Sequence, residues 1–289
     1  MMRMPAMRGV YMPVRSMRSQ RGAALLLVMW LILLLSGLVA GYAMSARIES
    51  MQGNGLARSV QAREAARAGV EYAISRMLDA DYAQRWAPDG RDYRLSFDGA
   101  QLEVSVRDET GKVDLNNAGP DLLAGLLRAQ GEPAEAATRL AGAIVDWRDQ
   151  DSLVQVAGGA EDTNYAAAGL AWGAKDAPFE TVAELEQVLG MRPALYRSLA
   201  PYVTVHSGAP MPNPAFADGP VLKAMGIERP QPIDDTLPVN GSGTYSIDSR
   251  ARLANGRRAH LSVILRAGGN GLTGSSYTPL RWQEGTVAP

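Results

Sequence analysis

A long, uninterrupted run of apolar residues lies near the start of the chain. No charged residue occurs in 23–46, and the segment 25–35 is almost entirely aliphatic. A helix needs about 20 apolar residues to cross the hydrocarbon core of a bilayer. The run therefore predicts one membrane-spanning helix. Because basic residues precede it, we expect the N-terminus to stay in the cytoplasm and the chain from Arg47 onward to lie across the membrane.

After this run the pattern becomes that of an amphipathic helix. In the segment 61–78, apolar Ala66, Val70 and Ile74 recur at helical spacing, which predicts one buried face. The Gly-Asn-Gly segment 53–55 interrupts the pattern, and we expect a kink or a melted turn there. A long N-terminal helix with an apolar first half and an amphipathic second half follows from these patterns.

Strand patterns lie on both sides of a helical block. Alternation at Tyr93, Leu95 and Phe97, then at 102–106, surrounds an Asp98-Gly99 turn and predicts a hairpin. Further strand patterns follow at 202–205, 244–247 and 261–265. The sequence therefore predicts an α+β fold, in which a long N-terminal helix packs on an antiparallel sheet and an all-α domain is inserted between the strands. The predicted limits are a leader at 1–22, a membrane and stalk helix at 23–80, a discontinuous strand domain at 81–110 and 201–289, and the inserted α-domain at 111–200.

Composition excludes several classes of site. The chain has no cysteine, which excludes disulfides, thiolate metal sites and thiol catalysis. It has two histidines. Residues 1–22 contain five arginines and no acid, so the rest of the chain has a net charge of −6. This balance argues against a strongly basic nucleic-acid binder.

The junction before the apolar run resembles a class III signal. Ser19-Gln20-Arg21-Gly22 leads directly into Ala23. A basic leader that ends in glycine before an apolar helix resembles the signals of type IV pilins and type II secretion pseudopilins. That resemblance implies cleavage by a prepilin peptidase between Gly22 and Ala23. Ordinary signal-peptide cleavage and a plain uncleaved anchor remain alternatives, and translation can start at Met1 or at Met17.

Leu27 occupies what would be the fifth position of the mature chain. Most type IV pilins carry glutamate there, and its carboxylate pairs with the N-terminal ammonium of a neighbouring subunit. A subunit with leucine at this position cannot make that pair with a neighbour above it. Within the resemblance, Leu27 implies a subunit at the tip; the alternative is a membrane anchor that is not a pilin.

The block 108–205 is similar to one known family. It contains Asp114-Leu115-Asn116-Asn117-Ala118, then Ile144-Val145-Asp146-Trp147-Arg148, and later Thr181-Val182-Ala183-Glu184-Leu185 and Val188-Leu189-Gly190-Met191. This ordered series, set between a pseudopilin-like helix and later strands, resembles the general secretion pathway protein K family. The resemblance implies a non-catalytic minor pseudopilin that caps the periplasmic pseudopilus and nucleates its assembly. It also implies other minor pseudopilins as partners, the bacterial inner membrane as the location and a periplasmic C-terminal part.

The same block suggests two weak helix-hairpin-helix units, a motif that often binds DNA. DNA-binding hairpins offer backbone N–H groups and basic side chains to phosphate. Here the turns are Gln130-Gly131-Glu132-Pro133 and Gly190-Met191-Arg192-Pro193; the first carries an acid, and each contains a proline, which has no N–H. We therefore expect packing units and no nucleic-acid partner.

Acidic residues cluster between 145 and 186. Those around a glycine-rich loop suit Ca²⁺, which takes about 6–8 oxygen ligands. The family resemblance implies calcium in this region, with the Gly-Ala-Glu-Asp segment matched at 159–162. The predicted ligand pool is Asp149, Asp151, Glu161, Asp162 and Asp176, and the alternative is a solvated acidic loop.

No pattern of an enzyme accompanies these acids. The sequence lacks a Gly-x-Ser-x-Gly elbow, a His-Glu-x-x-His helix and a phosphate loop. His206 and His260 lie at or near predicted strands and far apart in sequence. We therefore expect a non-enzymatic protein.

Overall fold

One long helix, α1, runs from Arg21 to Met77. The computed structural model describes residues 21–228, 241–268 and 276–285. Within them, α1 is the helix long and apolar enough to cross a membrane, with a mean hydropathy of 2.7 over an 18-residue window. The chain divides into two units, whose border lies between Ala57 and Arg58.

The helix is unbroken through 53–55, so the melted turn expected there is wrong. Each glycine costs a helix about 1 kcal/mol. Good helix formers on both sides outweigh this cost, because adding residues to an existing helix is favourable. The border of the two units nevertheless falls only a few residues later.

The second unit contains an antiparallel sheet with strand order β1-β2-β5-β6-β7. Its strands are β1 (Asp89–Phe97), β2 (Ala100–Asp108), β5 (Thr244–Arg252), β6 (Arg258–Ala267) and β7 (Tyr277–Gly285). The predicted hairpin is confirmed: Phe97 faces Ala100, and Asp98 and Gly99 form the turn with φ of +47° and +75°. Positive φ at both turn residues matches the twist of two antiparallel strands.

Small residues of α1 let the helix approach this sheet closely. Ala62, Ala66 and Ala73 are buried in one core with strand residues such as Val104 and Ile247. An alternating strand presents one face to such a helix, and the apolar alternation predicted for β2 forms that face. The predicted fold class, a long helix packed on an antiparallel sheet with an added helical region, is confirmed.

The helical region lies between β2 and β5 in the chain. Its helices are α2 (Pro120–Ala129), α3 (Ala134–Arg148), α4 (Asp162–Ala167), α5 (Pro193–Leu199) and α6 (Gly219–Ala224). Short 3-10 turns lie before β1 at Tyr82–Gln84, after β2 at Glu109–Gly111, and on either side of α5 at Val182–Gln187 and Ala200–Tyr202. Leu123, Leu127, Ile144 and Trp147 are buried in its core. Val221 of α6 joins that core, although it lies after residue 200, where the predicted α-domain ends.

Two expectations about this region differ from the structure. The strand pattern at 202–205 forms β4 (Val203–Thr204), which pairs in parallel with β3 (Val113–Asp114) instead of joining the main sheet. The predicted all-α block 111–200 is also not wholly helical, because 149–161 and 168–181 are irregular. Acidic, glycine-rich composition favours loops over helices.

A buried polar network joins the sheet to the helical region. Glu109 is fully buried, and Lys112 Nζ lies 2.5 Å from its Oε1. Thr204 donates a hydrogen bond to the other carboxylate oxygen of Glu109. Lys112 Nζ also donates to Ser246 Oγ of β5 at 3.2 Å. The network satisfies every charged group that it buries, as a low-dielectric interior requires.

Candidate metal centre

Two acidic side chains lie at the C-terminal end of α3. Asp146 is in the last turn and is fully buried, and Asp149 caps the helix. The C-terminal end of a helix carries a partial negative charge and favours cations. Two carboxylates at this end are therefore unfavourable unless a proton or a cation accompanies them. Ile144 and Trp147 anchor the same turn in the helical core, which fixes the position of Asp146.

The loop after α3 folds back against the helix at two glycines. A Cβ atom on Gly142 would lie 1.6 Å from the carbonyl oxygen of Gly158, and one on Gly159 would lie 2.0 Å from Asp146 Oδ2. Side chains larger than hydrogen would prevent this approach. The approach lets the Ala160 N–H donate to Asp146 Oδ2 at 2.7 Å.

Glu161 lies at the end of this loop, directly before α4. One carboxylate oxygen from each of Asp146, Asp149 and Glu161 lies within 4.8 Å of the others. We call these three residues the carboxylate trio. Asp146 Oδ1, Asp149 Oδ1 and Glu161 Oε1 are buried and have no hydrogen-bond partner within the described part of the chain. Buried carboxylate oxygens without partners are costly.

The pKa values of all three carboxyl groups of the trio are raised. Burial raises the pKa of Glu161 to about 7, and the charges of Asp146 and Asp149 act in the same direction. Burial also raises the pKa of Asp146 and that of Asp149. Like charges close together oppose ionisation, and a bound cation removes that opposition.

The other predicted ligands lie around the trio. Asp151 and Asp176 are near enough for their charges to raise the pKa of Glu161. Asp162 Oδ1 accepts a hydrogen bond from Ala174 N at 3.1 Å, so this oxygen helps to hold the following loop. Of the five predicted ligands, the structure thus brings Asp149 and Glu161 together.

Asp146 was not in the predicted ligand pool. It lies inside an apolar helical segment, between Val145 and Trp147, where an acid is easily assigned to the solvent face. Its spacing of three residues from Asp149 is the signal that could have identified it, because residues three apart share one helix face.

The trio fits a hard divalent cation. All its donors are carboxylate oxygens, the ligands that Ca²⁺ prefers, and each residue offers an oxygen that no other group uses. Three carboxylates supply fewer than the roughly 6–8 oxygens that Ca²⁺ takes, so loop carbonyls, water or the nearby acids would complete the shell. Calcium binding itself stays a prediction.

The predicted processing site lies where the described chain begins. Gly22 and Ala23 are within α1, which starts at Arg21 instead of after the glycine. The side chain of Leu27 is 68% exposed. The leader residues 1–20 lie outside the described residues, and cleavage between Gly22 and Ala23 stays a prediction.

Comparison with known proteins gives consistent results. A family model for type II secretion system protein K matches residues 102–208. Proteins named type II secretion system protein K from Pseudomonas aeruginosa and Klebsiella pneumoniae are 33% and 30% identical over 152 and 207 residues. These alignments cover 49% and 64% of this chain. The chain spans 45% and 62% of the length of those two relatives.

A solved structure shares the fold. A chain of the GspK–GspI–GspJ complex from the enterotoxigenic Escherichia coli type 2 secretion system aligns with a TM-score of 0.52 and 19% identity, over 84% of this chain and 99% of that chain. The resemblance found in the sequence is therefore confirmed: residues 102–208 match the family model for type II secretion system protein K, and the chain is similar to proteins of that name.

Proposed function

We propose that this protein is a non-catalytic minor pseudopilin of a type II secretion system. It caps the tip of the periplasmic pseudopilus and nucleates its assembly for protein export. The observation that carries the proposal is the protein K domain at 102–208, set between the sheet strands that pack on α1.

Leu27 supports a position at the tip. In a pilin-like filament, each subunit below the tip pairs a carboxylate in the membrane helix with the N-terminal ammonium of a neighbour. Leu27 provides no such carboxylate, and its exposed apolar side chain suits the lipid instead. A subunit of this kind can begin a filament but cannot extend it upward.

Other minor pseudopilins are the proposed partners. The solved relative is a complex of GspK with GspI and GspJ, so its title names the kind of assembly we propose for this chain. The apolar segment of α1 anchors the chain in the bacterial inner membrane, with a cytoplasmic N-terminus and the sheet and helical region in the periplasm. A prepilin peptidase removes the leader after Gly22.

We also propose that the carboxylate trio binds calcium. Three unpartnered buried oxygens at the negative end of α3 support this, because a cation would relieve both their repulsion and their burial cost. The bound cation would tie the end of α3 to the start of α4. Extracytoplasmic calcium sites bind at about 10⁻⁴–10⁻³ M, which suits a compartment open to external calcium.

Two other functions are the alternatives that the co-purification experiment below distinguishes. One is a minor pilin of a type IV pilus, and the other is a membrane-anchored helix-hairpin-helix protein that binds DNA. Arg192, the basic residue in the second hairpin turn, pairs with Glu132 of the first turn and is therefore engaged within the protein. This pairing favours a packing role for the hairpins.

Isolation of the full chain from detergent-solubilised membranes tests the proposal. The other minor pseudopilins should co-purify in defined stoichiometry even when the major pseudopilin is deleted. Recovery with type IV pilus subunits instead would favour the pilin. Retention on DNA that is lost with salt would favour the DNA receptor.

A further inference from the structure

One end of the sheet carries a dense group of arginines. Arg94, Arg250, Arg252 and Arg258 line a groove of about 320 Å³ on the face that points away from α1. Arg257 lies in the adjoining hairpin loop. We call these five residues the arginine patch.

Most of this charge is not neutralised. Glu103 is the acid within the groove, and it pairs with Arg94 at 2.9 Å and with Arg250 at 3.8 Å. Arg252 and Arg258 face each other directly across β5 and β6, and neither has an ion-pair partner among the described residues. Like charges directly opposite each other destabilise a sheet. An anionic surface would remove that repulsion.

An exposed aromatic residue lies at the same end of the sheet. Phe97, at the β1–β2 turn, is 51% exposed and stands four residues from Gln101, which pairs with Arg252 in the sheet. Phe97 faces the buried Ala100, so its ring lies on the α1 side of the sheet, and the charges of the opposite face alone would contact lipid phosphates.

Chain connectivity keeps the arginine patch within reach of the membrane. Arg257 Nη1 donates to Ser59 Oγ at 2.7 Å, so the patch lies beside the residue at which α1 enters the second unit. The apolar run ends at Ala46, 13 residues before Ser59. Such a segment spans at most about 45 Å when fully extended and about 20 Å as a helix.

We propose that the arginine patch binds the anionic phospholipid surface of the membrane in which the chain is anchored. Contact of Arg252 and Arg258 with lipid phosphates would hold the sheet against the bilayer before the subunit enters an assembly. The inference needs only the membrane anchor and is independent of the proposed place at a pseudopilus tip.

The absence of native cysteine makes a direct test possible with the full chain. A single Ser96→Cys substitution places an exposed thiol on β1 beside the patch, and an environment-sensitive fluorophore is attached to it. The labelled protein is reconstituted in vesicles of phosphatidylcholine alone or with phosphatidylglycerol. Both contain the same fraction of lipid with a nitroxide on its headgroup, which quenches fluorophores close to the surface.

A matched pair of variants isolates the contribution of the patch. R252Q/R258Q removes two charges from the patch and also their mutual repulsion. R266Q/R281Q removes two charges from the same face near the other end of β6, where Thr244 pairs with Arg266. Extraction at alkaline pH verifies that α1 is inserted in every preparation, which separates a failure of this inference from a failure of the anchor.

We expect strong quenching in anionic vesicles, weak quenching in phosphatidylcholine, and loss of the difference in high salt. R252Q/R258Q should weaken the lipid-contacting state about 30-fold, and R266Q/R281Q should leave it unchanged. Equal quenching in both lipids, or an equal effect of the two double variants, would overturn the proposal. Either result would leave an acidic protein surface as the partner of the patch.

Discussion

At the scale of single residues, the trio combines three side chains that serve different structural purposes. Asp146 holds the returning loop through Ala160 N–H, Asp149 ends α3, and Glu161 begins α4. Each of them nevertheless leaves one buried oxygen without a partner. Because the three carboxylates also lie close together, the local structural roles alone do not account for the arrangement.

The pH dependence of stability follows from Glu161. Its pKa is raised in the folded state from 4.5 to about 7, so the folded protein binds this proton more tightly than the unfolded chain does. In metal-free protein, the stability that the bound proton provides is complete below pH 4.5 and is lost as the pH rises through 7. We expect a loss on the order of 2–3 kcal/mol.

Thermal unfolding of the full chain in detergent with EGTA, between pH 4.5 and 8, measures this loss. Glu161→Gln should remove most of the dependence near pH 7, because the amide does not titrate. Glu186→Gln, at an exposed acid outside the trio, should retain it. A wild-type profile that is as flat as that of Glu161→Gln would contradict the raised pKa.

The proposed processing depends on Gly22. Gly22→Val should leave the full-length chain uncleaved, because a β-branched side chain restricts the backbone and crowds the peptidase. Gly37→Val is the matched control: a Cβ there meets no atom within 4 Å, and processing should be normal. Mass spectrometry should find Ala23 at the mature N-terminus of the wild type and of this control. Any other N-terminus would exclude the proposed cleavage.

At the scale of elements, the hairpin β1–β2 and the helix-on-sheet packing could be predicted because they follow local rules. Alternation around an Asp-Gly turn specifies a hairpin, and helical spacing specifies the buried face of α1. The strand at Val203 could not be placed in the same way, because a two-residue strand gains its partner, Val113, from a part of the chain 90 residues away. The geometry of the carboxylate trio also depends on a loop fold that has no periodic pattern.

The packing of α1 on the sheet depends on close approach at Gly69. A Cβ atom there would lie 2.3 Å from Ser249 Oγ and 3.1 Å from Val104 Cγ2. Gly69→Val should therefore destabilise the protein by roughly 1–3 kcal/mol, the usual cost of an overpacked core.

Gly53→Val provides the control, because the same change in the same helix meets no atom within 4 Å. Chemical denaturation followed by tryptophan fluorescence should separate the two variants. Equal stability of both would show that the helix does not depend on this contact.

The link between α3 and α4 should depend on calcium. At calcium about 100-fold above the dissociation constant, binding to the folded state adds about 2.7 kcal/mol. For a domain of this size, this raises the melting temperature by roughly 5–10 °C relative to EGTA.

Two variants of neighbouring acids distinguish a trio from a diffuse acidic surface. Glu161→Gln should abolish most of the calcium-induced rise. Asp162→Asn should keep most of it, because the asparagine oxygen can still accept from Ala174 N–H. Equal melting temperatures with and without calcium in wild-type protein would mean that these acids are only a solvated surface.

At the scale of the whole molecule, the chain combines an apolar helix, a sheet that packs on its second half and a helical region; the family match at 102–208 begins in β2 and ends before α6. The family resemblance found in the sequence is confirmed, since its ordered motifs lie within the matched residues. The sequence motifs identify the family better than they locate the borders of the helical region. Helix α6 joins the helical core although it lies beyond the predicted block.

The proposed capping role can be checked by locating this subunit along the pseudopilus. A gold label on an epitope added after Pro289 can be counted along pseudopili isolated from cells that overproduce the major pseudopilin. We predict one label per filament, at one end only. Labels distributed along the filaments, in proportion to their length, would contradict a capping role for this protein.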